Sequence, residues 1–272
     1  MSRVLYTRGG ALGDFILALP VLDALLSGGD DVDVACVGRY AALLPRVGRA
    51  PRRVWDLERV ESTWMFGGTA PEPYVRAYAF NPTLAEGLRA AGIPEVVERS
   101  PVPPPGVPAW RHFGAGGLPR LRGGGTPVVS PRLVVISPGS GGQAKRAPIP
   151  FWCAVDAGIR AGCREAEIVW VAGPLEAGES WPVAPLRLDL LDTVDLAARA
   201  ACWLGPDSGP SHLAAAAMRG ARGIDEVPVG VLYSVTDPTV WAPPGARAFV
   251  AGEDAGAVVE QVVATARGWL AE

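Results

Sequence analysis

Gly205-Pro206-Asp207-Ser208-Gly209-Pro210-Ser211-His212-Leu213-Ala214-Ala215-Ala216 follows the apolar run Cys202 to Leu204 without a spacer and passes directly into alanines. This reads as a strand that turns through small residues into a helix. Ser208 or Gly209 caps the helix, Pro210 suits its first position because its missing N–H would be unpaired there, and the alanines propagate it. A helix start of this kind presents unpaired amides and the positive end of the dipole, which together favour an anion such as a diphosphate by roughly 0.3 to 2 kcal/mol. Taken alone, the segment is equally an ordinary strand-to-helix turn, and its meaning depends on its surroundings.

On both sides of this turn, strands alternate with helices. Upstream lie an apolar run at Leu133 to Ile136, a helical pattern from about Phe151 to Ala161, a strand at Ile168 to Val171 and a helix at Thr193 to Ala200. Downstream are a helix from Pro210 to Met218, a strand at Val229 to Tyr233 and a terminal helix from Ala255 to Leu270, with Val258, Val259, Val262, Val263 and Ala266 on one face. This alternation predicts an α/β fold with a parallel sheet and right-handed crossovers. The N-terminal part begins the same way. Val4 to Thr7 is a strand, Gly9-Gly10-Ala11-Leu12-Gly13 a loop, Asp14 to Leu26 a helix that Pro20 can kink, and Val32 to Val37 the next strand. Weaker strands fall near Arg53 to Trp55 and Val75 to Phe80, and Leu84 to Ala91 is helical up to Gly92. Between Ser100 and Pro131, eight prolines and seven glycines interrupt the periodicity. That stretch reads as a linker, dividing the chain into an N-terminal domain (1–130) and a C-terminal domain (131–272).

At 272 residues, 49% hydrophobic and 19% charged, the chain has enough apolar material for two cores. A formal charge of -3 offers no general attraction for nucleic acid or anionic lipid, so a phosphate-bearing ligand needs a local site. Cys36, Cys153, Cys163 and Cys202 form no CxxC pair and no metal-type spacing with His112 or His212. They read as reduced, mostly buried thiols of a cytoplasmic protein with no metal. The apolar run Phe15 to Leu26 is interrupted by Asp23 and is too short to span a bilayer, so the expected membrane contact is at most peripheral, at the inner face of the cell membrane.

In a parallel sheet, ligands collect beyond the C-terminal strand ends. The loop after Ile136 is Ser137-Pro138-Gly139-Ser140-Gly141-Gly142-Gln143-Ala144-Lys145-Arg146. Its glycines let backbone approach a ligand, and its two cations suit a departing diphosphate, although it lacks P-loop spacing and a solvated pair accounts for the cations as well. Gly9 to Gly13 does not match the GxGxxG dinucleotide loop, and Gly38-Arg39 after the second strand supplies no acid. Asp14 reads either as a helix-capping carboxylate or as a general base. Glu176, after Val171, is a candidate partner for a ribose and equally reads as a solvated loop glutamate.

In order along the chain, four blocks resemble glycosyltransferase family 9, the heptosyltransferase family of lipopolysaccharide assembly: Gly10-Ala11-Leu12-Gly13-Asp14 with Leu19-Pro20; Pro138-Gly139-Ser140 with Lys145-Arg146 and Pro148; Asp207-Ser208-Gly209-Pro210 with His212 to Ala216; and Thr236-Asp237-Pro238 with Gly245. The resemblance implies the GT-B architecture, two Rossmann-like domains with parallel sheets facing across a cleft, the terminal helix crossing back onto the first. It also implies an inverting, metal-independent transfer without a cofactor, from a nucleotide-sugar donor, ADP-heptose first, to a hydroxyl of a glycan, lipid-linked or small-molecule acceptor. By the same resemblance, Asp14 is the general base within an acceptor-side loop that includes Gly10 and Gly13, and Lys145 contacts the donor phosphates. Gly139, Ser140, Arg146, Asp207, Ser208, Gly209, Pro210 and His212 complete the donor side. Ala147 departs from the family, which often has an aromatic residue there, and the first domain is short, which suits a small acceptor. The competing readings are a non-catalytic nucleotide-sugar-binding protein and an NAD(P)-dependent oxidoreductase or epimerase; the latter rests on fold alone.

Overall fold

A computed structural model describes residues 2–125, 128–173, 176, 179–252 and 254–271. Its strands are apolar on both faces where helices cover both sides of the sheet: all seven residues of Ala200–Pro206 are buried. Two units result, Met1–Gly117 and Leu118–Glu272.

The first unit runs β1 (Arg3–Arg8), α1 (Leu12–Leu17), α2 (Leu19–Ser27), β2 (Asp31–Cys36), β3 (Arg53–Asp56), β4 (Arg76–Ala79), α3 (Pro82–Ala90), β5 (Glu95–Glu98) and α4 (Ala109–Phe113). Its parallel sheet has the order β3-β2-β1-β4-β5. The chain therefore builds outward from β1 in one direction and then, from β4, in the other, so the topological switch lies between β1 and β4. The helix expected from Asp14 to Leu26 is two helices. Pro20 sits in the first turn of α2, where it has no N–H to offer the preceding turn. At the break, the Ala18 N–H turns to the Phe15 carbonyl at 3.2 Å, and Tyr6 donates its buried hydroxyl to the Ala18 carbonyl at 3.1 Å.

The second unit runs β6 (Ser130–Ile136), α5 (Ile149–Gly162), β7 (Glu167–Trp170), α6 (Leu190–Arg199), β8 (Ala200–Pro206), α7 (Gly209–Arg222), β9 (Val229–Tyr233), α8 (Pro238–Trp241), β10 (Arg247–Val250) and α9 (Ala255–Ala271). The order β10-β9-β8-β6-β7, again parallel, puts its switch between β6 and β8. Trp152 of α5, Trp170 of β7 and Val262 of α9 close the core over Val134, Ile136 and Leu204. The terminal helix packs on α5 and on β8, β9 and β10. Residues 118–121 side with this unit: the fully buried Leu121 donates its amide to the Ala216 carbonyl at 3.0 Å, and Arg219 donates to the Pro119 carbonyl at 3.1 Å.

All four cysteines are free thiols; Cys36 and Cys202 are buried, whereas Cys153 of α5 and Cys163 at its end are half-buried against the core of the second unit. Among the described residues, no helix is long and apolar enough to cross a membrane.

Candidate active site

At the second switch point, the loops that follow β6 and β8 are neighbours because the two strands pair directly. That adjacency brings Lys145 to Asp207, with Nζ donating to Oδ2 at 2.6 Å. Thr236, in the loop after β9, donates its hydroxyl to the same oxygen at 2.6 Å, and His212 Nε2 lies 3.6 Å from Oδ1. Burial pushes the Asp207 carboxyl up, but His212, Lys145 and Thr236 outweigh it and hold the group down at about 2. Asp207 is thus a charged anchor whose oxygens are engaged by protein. Lys145, a third exposed, has three N–H donors and gives one to Asp207, which leaves others for a ligand.

Beside this pair, α7 begins at Gly209 with Ser208 as its cap and Pro210 in the first turn. Ser208 spends no hydroxyl on the helix amides; it meets Ser211 Oγ at 3.3 Å, and Ser211 in turn donates to the Pro206 carbonyl at 2.7 Å. The turn is held from below; the Ser211 and His212 amides donate to the Ser208 carbonyl at 3.1 and 3.2 Å and Pro210 has no N–H, which leaves the Gly209 amide as the candidate for a ligand. Ser140 ties the two loops together by donating to the Asp207 carbonyl at 3.3 Å, and Arg146 Nε holds the Ser140 carbonyl at 2.8 Å.

Glu176 is 4% exposed, not a solvated loop glutamate. One carboxylate oxygen accepts from the Gly173 amide at 2.8 Å, and the other lies 3.2 Å from Arg146. Gly139 leaves room for this arrangement: a Cβ there would stand 2.6 Å from the Glu176 carboxylate and would have to displace it. Pro138, Ala147, Pro148 and Ile149 give apolar walls, and Gln143, Arg146 and Glu176 polar ones, to an adjoining cavity of about 230 Å³. Apolar walls with a few fixed polar groups suit a nucleoside. The small Ala147 side chain keeps that space open.

At the first switch point, β1 ends in Arg8 and the loop Gly9 to Gly13 leads into α1. Gly10 has φ +89, a conformation that favours glycine, and Tyr40 braces it by donating to its carbonyl at 3.2 Å. Asp14 lies in the first turn of α1, not ahead of it, and accepts from the Ala11 amide at 3.3 Å through Oδ2. Its side chain remains 30% exposed, so it can both close the helix start and meet a ligand.

Lys145, Asp207, His212, Ser140 and Ser208 are therefore assembled at one switch point, with Arg146, Gly139 and Glu176 alongside, while Gly10, Gly13 and Asp14 belong to the other unit. Thr236 and Tyr40 also serve these loops, although sequence reasoning assigned them no role. Thr236 stood in a matching block and was legible there. Tyr40 lies thirty residues from Gly10 and reaches it only through the sheet order, so no local pattern could show it. Among the described residues, no group of three or more His, Cys, Asp or Glu is placed to hold a metal ion.

Comparison with known structures finds the same fold over essentially the whole chain. A glycosyltransferase family 9 protein from Veillonella parvula DSM 2008 superposes with TM-score 0.75 at 16% identity, covering 99% of this chain and 97% of that one. For the E. coli ADP-heptose LPS heptosyltransferase II the values are 0.69 and 16%, with coverage of 100% and 99%. For E. coli heptosyltransferase WaaC with ADP they are 0.67 and 16%, with 97% and 99%. No curated protein sequence matches. Residues 129–266, just over half of the chain and running from β6 into α9 across the Lys145–Asp207 pair, match the description "Glycosyltransferase family 9 (heptosyltransferase)". The fold is GT-B, and the chain is a glycosyltransferase that belongs to glycosyltransferase family 9.

Proposed function

We propose that this glycosyltransferase moves a sugar, heptose first among candidates, from a nucleoside diphosphate to an acceptor hydroxyl with inversion. The observation that carries the reading is the 2.6 Å contact between Lys145 and Asp207, which fixes a cation beside the N-terminus of α7 at a switch point. A diphosphate placed there meets Lys145 and the Gly209 amide at the positive end of α7, and its nucleoside falls toward the cavity bounded by Pro138, Ala147 and Glu176. As the glycosidic bond breaks, the bonding pair stays on the diphosphate oxygen, where these groups stabilise it. The acceptor hydroxyl, its proton passing to Asp14, attacks the anomeric carbon from the opposite face. ADP is the first nucleotide to test because the WaaC structure holds it. A localisation in the cytoplasm, with at most peripheral membrane contact, fits a soluble donor of this class.

The test measures ADP release from ADP-heptose against a panel of glycan and small-molecule hydroxyls. Transfer should occur, and Asp14→Asn should reduce kcat by about a hundredfold or more with ADP binding unchanged. Less than about tenfold loss would remove Asp14 as the base. ADP binding without transfer to any acceptor would favour a nucleotide-sugar-binding protein.

A further inference from the structure

Arg8 closes β1 at the edge of the first switch point and is 4% exposed. A cation so deep in a unit needs partners, since burial alone drives its ionisation down. The partners are few and specific. Its Nε donates to the backbone carbonyl of Asp14 at 3.1 Å. That carbonyl is accessible because α1 breaks at Ala18, whose N–H turns to Phe15 instead. One terminal nitrogen stands 3.7 Å from Asp14 Oδ1 and is buried without a hydrogen bond among the described residues. Phe80, following β4, and Phe113 of α4 hold the guanidinium, its central carbon lying 4.8 and 4.5 Å from their ring centroids. The charge of Asp14 is the largest influence opposing the desolvation of Arg8.

These contacts are arranged around one residue. Arg8 grips the Asp14 main chain and approaches one carboxylate oxygen, while the Ala11 amide holds the other at 3.3 Å. The two phenyl faces keep the guanidinium from swinging away. We infer that Arg8 is a positioning residue for this transferase, holding the Asp14 carboxylate at the angle from which it takes the acceptor's proton. The inference rests on the reading of Asp14 as the base. At 4% exposure Arg8 acts through Asp14 rather than on a ligand directly. At 3.7 Å it steers the carboxylate without occupying it, and Oδ1 remains available for an incoming hydroxyl.

The test is a double-mutant cycle in the full chain, with ADP release from ADP-heptose in the presence of the best acceptor and ADP affinity by calorimetry. Arg8→Met keeps the length and removes the charge; it should lower kcat by about 10- to 100-fold while the ADP affinity stays within about twofold of the wild type. Arg8→Lys, with one charged head that cannot serve carbonyl and carboxylate together, should recover part of that loss. Combined with Asp14→Asn, Arg8→Met should cost almost nothing more, because a residue acting through Asp14 has nothing left to act on. Multiplicative losses in the double variant would overturn the inference and leave a structural role. So would an Arg8→Lys protein that melts like the wild type and is no more active than Arg8→Met. If Asp14→Asn itself retains activity, or the wild type binds ADP without any transfer, the underlying reading fails, and this inference with it. An inactivating Asp14→Asn beside a fully active Arg8→Met defeats the inference alone.

Discussion

Asp207 keeps its charge at 4% exposure because a lysine, a threonine and a histidine converge on its two oxygens from three different segments. Removing that charge should cost more than one hydrogen bond, since Lys145 would then lose the group that aims it. Asp207→Asn is expected to reduce stability at neutral pH by about 2 kcal/mol, the scale of a charged hydrogen bond, and to weaken ADP binding as Lys145 loosens. The sign of the pH dependence follows from the depressed ionisation at about 2. The folded protein holds its proton more weakly than the unfolded chain, so this stabilisation is complete above the ordinary aspartate value near 4 and is lost as pH falls from there toward 2. Urea unfolding of both proteins at pH 7, 4 and 2.5 measures it. The gap between them should be widest at pH 7 and narrow in acid; a gap that does not change with pH would mean that the carboxylate charge contributes nothing.

At the scale of elements, α7 must both start at the donor turn and lie close to the chain that enters the unit. Gly220 allows the second, since a Cβ there would stand 2.1 Å from the Leu121 carbonyl oxygen. Backbone cannot yield as a flexible side chain can. Gly220→Ala should therefore destabilise the second unit by about 1–3 kcal/mol, overpacking exceeding the roughly 1 kcal/mol by which alanine is the better helix former. A shift of the denaturant midpoint upward would contradict it. Elements of this kind were legible where pattern was strong. The buried strands β1, β2, β6, β8 and β9 and the helices α3, α5, α7 and α9 follow from apolar runs, periodicity and stop signals. Less was legible where burial is partial: β5 and β10 have only four residues each, with exposed charges or ends, and neither shows a clear alternation. The break at Ala18 was visible only as Pro20. In the site, Lys145 and Asp207 were legible as separate loops, but their contact depends on β6 pairing with β8. Arg8 carried no signal, because an arginine at the end of an apolar strand reads the same whether it is solvated or clasped between two phenylalanines.

At the scale of the molecule, each unit has its own sheet, core and switch point, and a chain of this kind need not unfold in one step. The donor contacts proposed above all lie in the unit Leu118–Glu272. A ligand that binds only folded protein stabilises what it binds, by about 2.7 kcal/mol at a hundred times its Kd, which corresponds to about 5–10 °C for a unit of this size. ADP should therefore raise the transition in which the second unit unfolds and leave the other where it is, if two are resolved. Amide hydrogen exchange gives the same result residue by residue. With saturating ADP, protection should rise at Gly139 to Lys145 and at Gly209, in the loops joined by the Lys145–Asp207 contact, while amides of β2 exchange as before. Protection confined to the first unit would move the nucleotide away from Asp207 and α7. UDP or GDP giving the larger shift would keep the site and change the base it reads, because the diphosphate meets the same lysine and helix start whichever nucleoside enters the cavity beside Ala147.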